Sequence, residues 1–163
     1  MSTPFVITCL IIGLLILLGG LMTDSGGWYR QLRKPAWNPP TWLFGPAWAV
    51  ILSLAGWAGF EAWTQSPAGV THLRLAVMFG ATGLLHLMWS PLFFKLRRPD
   101  LSLLEIPFLW LSMLAVIIGV VRISTLSAVL FLPYLAWVAF ATALNLAIVR
   151  LNAPFEATAK PSR

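Results

Sequence analysis

Trp28-Tyr29-Arg30-Gln31-Leu32-Arg33-Lys34-Pro35-Ala36-Trp37-Asn38-Pro39-Pro40-Thr41-Trp42 stands between two apolar segments, Phe5–Met22 and Phe44–Trp63. Each flank matches the length of about 20 apolar residues that a helix needs to cross a bilayer. The stretch between them is unlike an ordinary polar connection. Its prolines at 35, 39 and 40 stiffen the backbone, and its aromatic rings suit the membrane–water boundary. This pattern predicts a membrane-embedded helical fold whose first loop lies against the surface and shapes the mouth of an internal site.

The composition agrees. Apolar residues make up 59% and charged residues 10% of the 163 positions, where a soluble domain carries roughly a quarter charged residues; the mean hydropathy is +0.84. Once the spans are counted, no length remains for a separate soluble module, so the chain reads as one domain over residues 1–163. A net charge of +6 raises the question of nucleic acid. The cations fall in short patches beside apolar segments and form no face that tracks phosphates, so nucleic acid is excluded as a partner. Cys9 is the sole cysteine, which rules out an intramolecular disulfide and a thiolate metal site. The first apolar segment has neither a basic leader nor a small-residue cleavage pattern before Asp24, and is read as a retained helix.

Five spans follow: 5–22, 44–63, 73–94, 101–121 and 126–149. Short connections make sequential helices antiparallel neighbours in a compact bundle. The first loop, the third loop and the C-terminus then share one side. That side holds nine Lys and Arg residues (30, 33, 34, 95, 97, 98, 150, 160 and 163), whereas the other has only Arg74 and Arg122. The bias places the C-terminus in the cytoplasm and the N-terminus outside. Pro91 and Pro133 lie inside spans and are expected to bend their helices and open space between them. Small residues at four-residue spacing, Ala55/Gly59, Ala76/Gly80 and Ala139/Ala143, permit close helix contact. Packing within the chain is the plainer reading; a homodimer through the Ala76/Gly80 face is the sharper one.

Polar groups inside spans are costly, which makes each a site candidate. Ser and Thr satisfy themselves on their own helix backbone. Glu61 and Glu105 sit near helix ends and are expected to reach interfacial water, with a binding role for Glu105 as the alternative. His86 is mid-span and three residues before Trp89, so the two rings share a helix face. It is either satisfied by a neighbouring helix through Asn145 or a serine, or bonds a ligand, or coordinates a haem-type iron. No second histidine lies in any span, so no metal site is expected. Of the nine tryptophans, Trp28, Trp37, Trp42 and Trp63 fit an interfacial belt. Trp48, Trp57, Trp89, Trp110 and Trp137 lie too deep for it; a subset converging on one cavity would suit a large planar ligand. No nucleophile–base–orienter set and no paired catalytic carboxylates are present.

Three motifs together resemble the TspO/MBR family, the tryptophan-rich sensory proteins of bacteria and the translocator (peripheral-type benzodiazepine receptor) proteins of mitochondria. They are Trp28-Tyr29…Leu32…Lys34-Pro35…Trp37…Pro39-Pro40…Trp42…Phe44…Trp48, then Trp89-Ser90-Pro91…Phe93-Phe94, then Pro133-Tyr134-Leu135-Ala136-Trp137…Ala139-Phe140-Ala141-Thr142…Leu144-Asn145. The resemblance covers essentially the whole chain. It implies an all-α bundle of five transmembrane helices, often dimeric, in a bacterial cell envelope, with porphyrin or haem as ligand and no required cofactor. It also implies a pocket between the helices that includes Trp48, Trp137 and Ala141, under a lid formed by loop 23–43 through Trp37, Pro39 and Pro40. His86, Trp89 and Asn145 complete the expected ligand-binding set. His86 stands where the family commonly has asparagine. The C-terminal sterol motif is broken, since Leu146 occupies its tyrosine position, which makes sterol translocation the weaker implication. The function so implied is a sensor, carrier or regulator of tetrapyrrole levels; the alternative is light- or oxygen-dependent breakdown of the bound porphyrin. Active transport is least favoured, because no internal repeat is evident across the spans.

Overall fold

The computed structural model of the protein describes residues 2–155. Lys160 and Arg163, counted above for orientation, lie outside the described residues. Five helices are long and apolar enough to span a membrane: α1 (Thr3–Met22), α3 (Phe44–Gln65), α4 (Val70–Ser90), α5 (Pro99–Val121) and α6 (Thr125–Asn152). The short helix α2 (Gly27–Gln31) lies in the first loop, and a 3-10 turn, Thr41–Leu43, leads into α3. No strand occurs among the described residues.

The helix ends follow local chemistry. Prolines at the first turns of α1, α3 and α5 fit where no intrahelical N–H is lost. Gly69, with φ at +95°, makes the turn from α3 into α4, a conformation a side chain resists. Ser124 caps α6, its hydroxyl accepting from the Ser127 N–H. Pro91 does not end its span: α4 passes at this point into a π-helical turn, Pro91–Lys95, which absorbs the missing donor by widening the ladder. That extra residue swings Phe93 and Phe94 into the bundle, where both are buried.

Helix α6 packs against α3 and α5, α5 against α4, and α1 against α3. The core is divided. One part, at the end remote from the first loop, joins Ala55, Ala58 and Ala62 of α3 to Met113, Val116 and Val120 of α5 and to Phe131 and Tyr134 of α6. Ala58, Ala62, Val116 and Val120 have no exposed surface, the small α3 side chains allowing close approach. A smaller part lies beneath the first loop and joins Tyr29 to Phe93, Phe94, Leu144 and Ile148. Helix α1 contributes no buried residue. It meets α3 where Gly56 leaves room for Ile12; a Cβ on Gly56 would fall 2.2 Å from the Ile12 Cδ1. Large apolar side chains such as Leu10, Leu84, Leu104, Phe108 and Ile118 point outward, an arrangement suited to lipid and not to water.

The small-residue pairs divide. Ala55 is buried and Gly59 faces Phe79, so that pair packs within the chain. Ala76 and Gly80 are exposed, and a Cβ on Gly80 would meet nothing. Ala139 and Ala143 are exposed too.

Candidate functional site

Between the two parts of the core the bundle is hollow. A cavity of about 350 Å³ is lined by the loop-proximal halves of α1, α3, α4, α5 and α6, a size within the range of small-molecule pockets, about 300–1,000 Å³. Three of the deep tryptophans line it: Trp48 from α3, Trp89 from α4 and Trp137 from α6. The aromatic contacts around them fall into two groups, one about Trp48 and Trp137 and one about Trp89. Trp48 meets Trp137 edge-on at 6.1 Å and His86 at 4.6 Å, and Phe44 meets Trp137 at 6.1 Å. Trp89 stacks on Phe93 at 4.9 Å, held there by the π-helical turn. Ala141 lies on the same wall of α6 as Trp137, one helical turn on, and leaves space beside the rings.

The other two deep tryptophans face elsewhere. Trp57 is exposed beside Phe60, and the Trp110 Nε1–H donates to the Thr142 hydroxyl at 3.4 Å. Trp63 stacks on His72 at 4.0 Å at the remote end.

His86 lines the cavity, its ring edge-on to Trp48 and Tyr134. Asn145 does not satisfy it. The Asn145 amide instead donates to the Ser102 hydroxyl at 2.7 Å, tying α6 to α5, while Ser102 donates to the Pro99 carbonyl. Two lining residues retain buried polar atoms without partners, the Trp137 indole N–H and the Asn145 Oδ1. Such atoms are expensive unless something supplies the missing partner. Glu105 corrects an expectation: it does not reach the interface. It lies one turn after Ser102 on the buried face of α5, with both carboxyl oxygens buried and unpartnered. Glu61 is half-buried and accepts from the Gln65 amide. No cluster of His, Cys, Asp or Glu able to hold a metal occurs among the described residues.

The loop covers the cavity with residues other than those expected. Trp37, Pro39 and Pro40 are not in the lining; Tyr29 and Thr41 are, with Thr23 and Ser25. Trp37 is half exposed and rests edge-on against Phe140 at 5.7 Å, outside the wall that Trp137 presents.

Two locks fix the loop, one within it and one to the bundle. Lys34 donates to the Tyr29 carbonyl at 2.5 Å and sits 4.4 Å above its ring. Apolar surroundings hold the Lys34 ammonium below the usual lysine range, and burial raises the Tyr29 phenol above the usual tyrosine range. The second lock is Asn152, at the end of α6. It accepts from the Arg33 N–H and donates to the Arg33 carbonyl, both at 2.8 Å, and also donates to the Ile148 carbonyl. Sequence reasoning missed Asn152, because an asparagine at a helix end signals nothing about a loop far away in the chain.

Residues 5–151 match the model of the TspO/MBR family. The chain belongs to the TspO/MBR family. Its relatives include proteins of an archaeon, of bacteria and of mammals. It is 40% identical to the tryptophan-rich protein TspO of Archaeoglobus fulgidus over 77% of this chain and 80% of that one. It is 35% identical to the tryptophan-rich protein TspO of Chlorobaculum tepidum over 77% and 79%. The human translocator protein is 35% identical over 77% of this chain and 75% of its own length. With five apolar helices and this membership, the TspO/MBR chain is an integral, multi-pass membrane protein.

Proposed function

We propose that this TspO/MBR-family protein binds a porphyrin-type tetrapyrrole in the cavity beneath its first loop, as a sensor, carrier or regulator of tetrapyrrole levels. The observation that carries the reading is the wall of Trp48, Trp89 and Trp137 around one apolar space. Flat, polarizable faces suit a planar macrocycle. The unpartnered Trp137 N–H and Asn145 Oδ1 ask for an acceptor and a donor, and a free-base porphyrin with acidic side chains carries both. His86 adds a ring nitrogen that can accept from, or donate to, the ligand. Trp37, Pro39 and Pro40 act on this site by holding the loop in place. The test is quenching of tryptophan fluorescence by protoporphyrin. Trp137→Ala is expected to weaken binding about tenfold through loss of one aromatic face and its apolar area; unchanged affinity removes Trp137 from the site.

A second reading, breakdown of the bound porphyrin in light and oxygen, draws on the edge contact of Trp48 with Trp137, which sets two oxidisable rings beside the ligand. Illumination of the complex then yields a new chromophore; bleaching identical to that of free porphyrin rejects it. The charge bias supports a cytoplasmic first loop, which labelling of a cysteine placed at Arg30 would check. The exposure of Ala76 and Gly80 supports a homodimer through that face. Cross-linking through a cysteine at Ala76 is expected, and its absence in the bilayer rejects that dimer.

A further inference from the structure

A second cavity, of about 380 Å³, opens at the remote end of the bundle between α4 and α5. Its walls are Thr71, Arg74, Leu75 and Met78 of α4, one stripe of that helix, and Ile118, Gly119, Arg122 and Ile123 at the end of α5. Among the described residues, these two arginines are the only Lys or Arg at that end of the bundle. They stand on the cation-poor side of the chain, yet both flank one groove.

Both guanidinium groups are exposed and neither forms an ion pair among the described residues, where Arg98 pairs with Asp100. The nearby carboxylate of that end, Glu61, is engaged by Gln65. The groove is graded in polarity. Arg74 lies in the first turns of α4 and Arg122 directly follows α5, so both cations stand at its rim. Met78 and Ile118 lie one turn deeper, about 6 Å further into the bilayer. Gly119 keeps the floor open to Met78: a Cβ there would fall 2.3 Å from the methionine methyl carbon.

We propose that this groove binds an anionic phospholipid, its phosphate held by Arg74 and Arg122 and an acyl chain lying along Met78 and Ile118. Guanidinium forks match phosphate oxygens in pairs. The apolar walls below the rim fit a chain, which a free anion lacks, and so favour a lipid source for the phosphate.

The test is native mass spectrometry of the full-length protein with phosphatidylglycerol, phosphatidylcholine or inorganic phosphate. Phosphatidylglycerol is expected to be retained over phosphatidylcholine about 30-fold, the effect of two interfacial cations. Arg74→Gln with Arg122→Gln should erase that preference. Arg74→Lys with Arg122→Lys keeps the charge and should retain only part of it. Arg150→Gln removes an exposed cation at the other end and should leave retention unchanged. Helical circular dichroism shows that each variant is folded. Equal retention of both lipids, no loss in the double glutamine variant, or an equal loss in Arg150→Gln would overturn the proposal. Displacement of the lipid by millimolar phosphate would also overturn it, in favour of a free-anion site.

Discussion

Asn152→Ala should release the first loop without unfolding the bundle. The wild-type amide is fully used: its oxygen accepts from the Arg33 N–H, and its two hydrogens go to the Arg33 and Ile148 carbonyls. Alanine removes both links to the loop. Each neutral hydrogen bond contributes about 0.5–1.5 kcal/mol net, and these lie on the exposed side, so the loss is about 1–2 kcal/mol. That corresponds to a roughly 5- to 30-fold rise in the open population of the loop. Because Tyr29 and Thr41 line the cavity from this loop, a bound ligand should dissociate faster by a similar factor. Asn152→Asp is expected to be at least as disruptive, since it turns both donors into acceptors facing two carbonyls, at the negative end of α6. Amide hydrogen exchange reads the effect directly. Arg33 and its neighbours should lose protection, while the amides around Ala58, Met113 and Phe131 keep theirs. Unchanged exchange at Arg33 would refute the reasoning, and so would a loss spread evenly over the bundle.

Other perturbations probe the interior. Ser102→Ala strips the buried Asn145 amide of its partner and should cost about 1–3 kcal/mol, seen as a lower midpoint in detergent melting; a neutral result would mean that Asn145 re-pairs, for which Glu105 is placed one turn away on α5. The loop should also be alkali-sensitive. Tyr29 has its ionisation raised by burial, so its contribution is complete below the ordinary value of 10.0 and is lost as pH climbs through the raised one. Tyr29→Phe keeps the packing on Phe94 and removes this dependence; loop exchange that loses protection equally in both proteins above pH 10 would contradict it.

Much of this architecture is readable in the residues, because lipid leaves few choices. A backbone in hydrocarbon must satisfy itself, so apolar runs of sufficient length become helices whatever their neighbours. The deep tryptophans were legible for a related reason: at 48, 89 and 137 they lie beyond the interfacial belt and need a cavity or lipid to face. Which of those two each one faces is a matter of helix rotation, and Trp57, turned outward, shows that depth alone does not decide. The loop resisted reading most. Proline and tryptophan advertise rigidity at 37, 39 and 40, but the side chains over the cavity are Tyr29 and Thr41, in a loop fixed by the Lys34 bond to the Tyr29 carbonyl and by Asn152 at the end of α6. Glu105 was misjudged because proximity to a helix end says nothing of the face it shares with Ser102 and Ile106.

The divided core sets how this chain tolerates change. Cohesion is concentrated among Ala58, Ala62, Met113, Val116 and Phe131, at the end away from the cavity. Substitutions at His86 and Ala141, which border the cavity outside that packed set, therefore alter a space that already lacks atoms. A scaffold arranged in this way can drift in ligand preference while remaining folded, and different lineages could retune the hollow end independently. The alanine-lined end is where drift should stall, because there a single added methylene has nowhere to go.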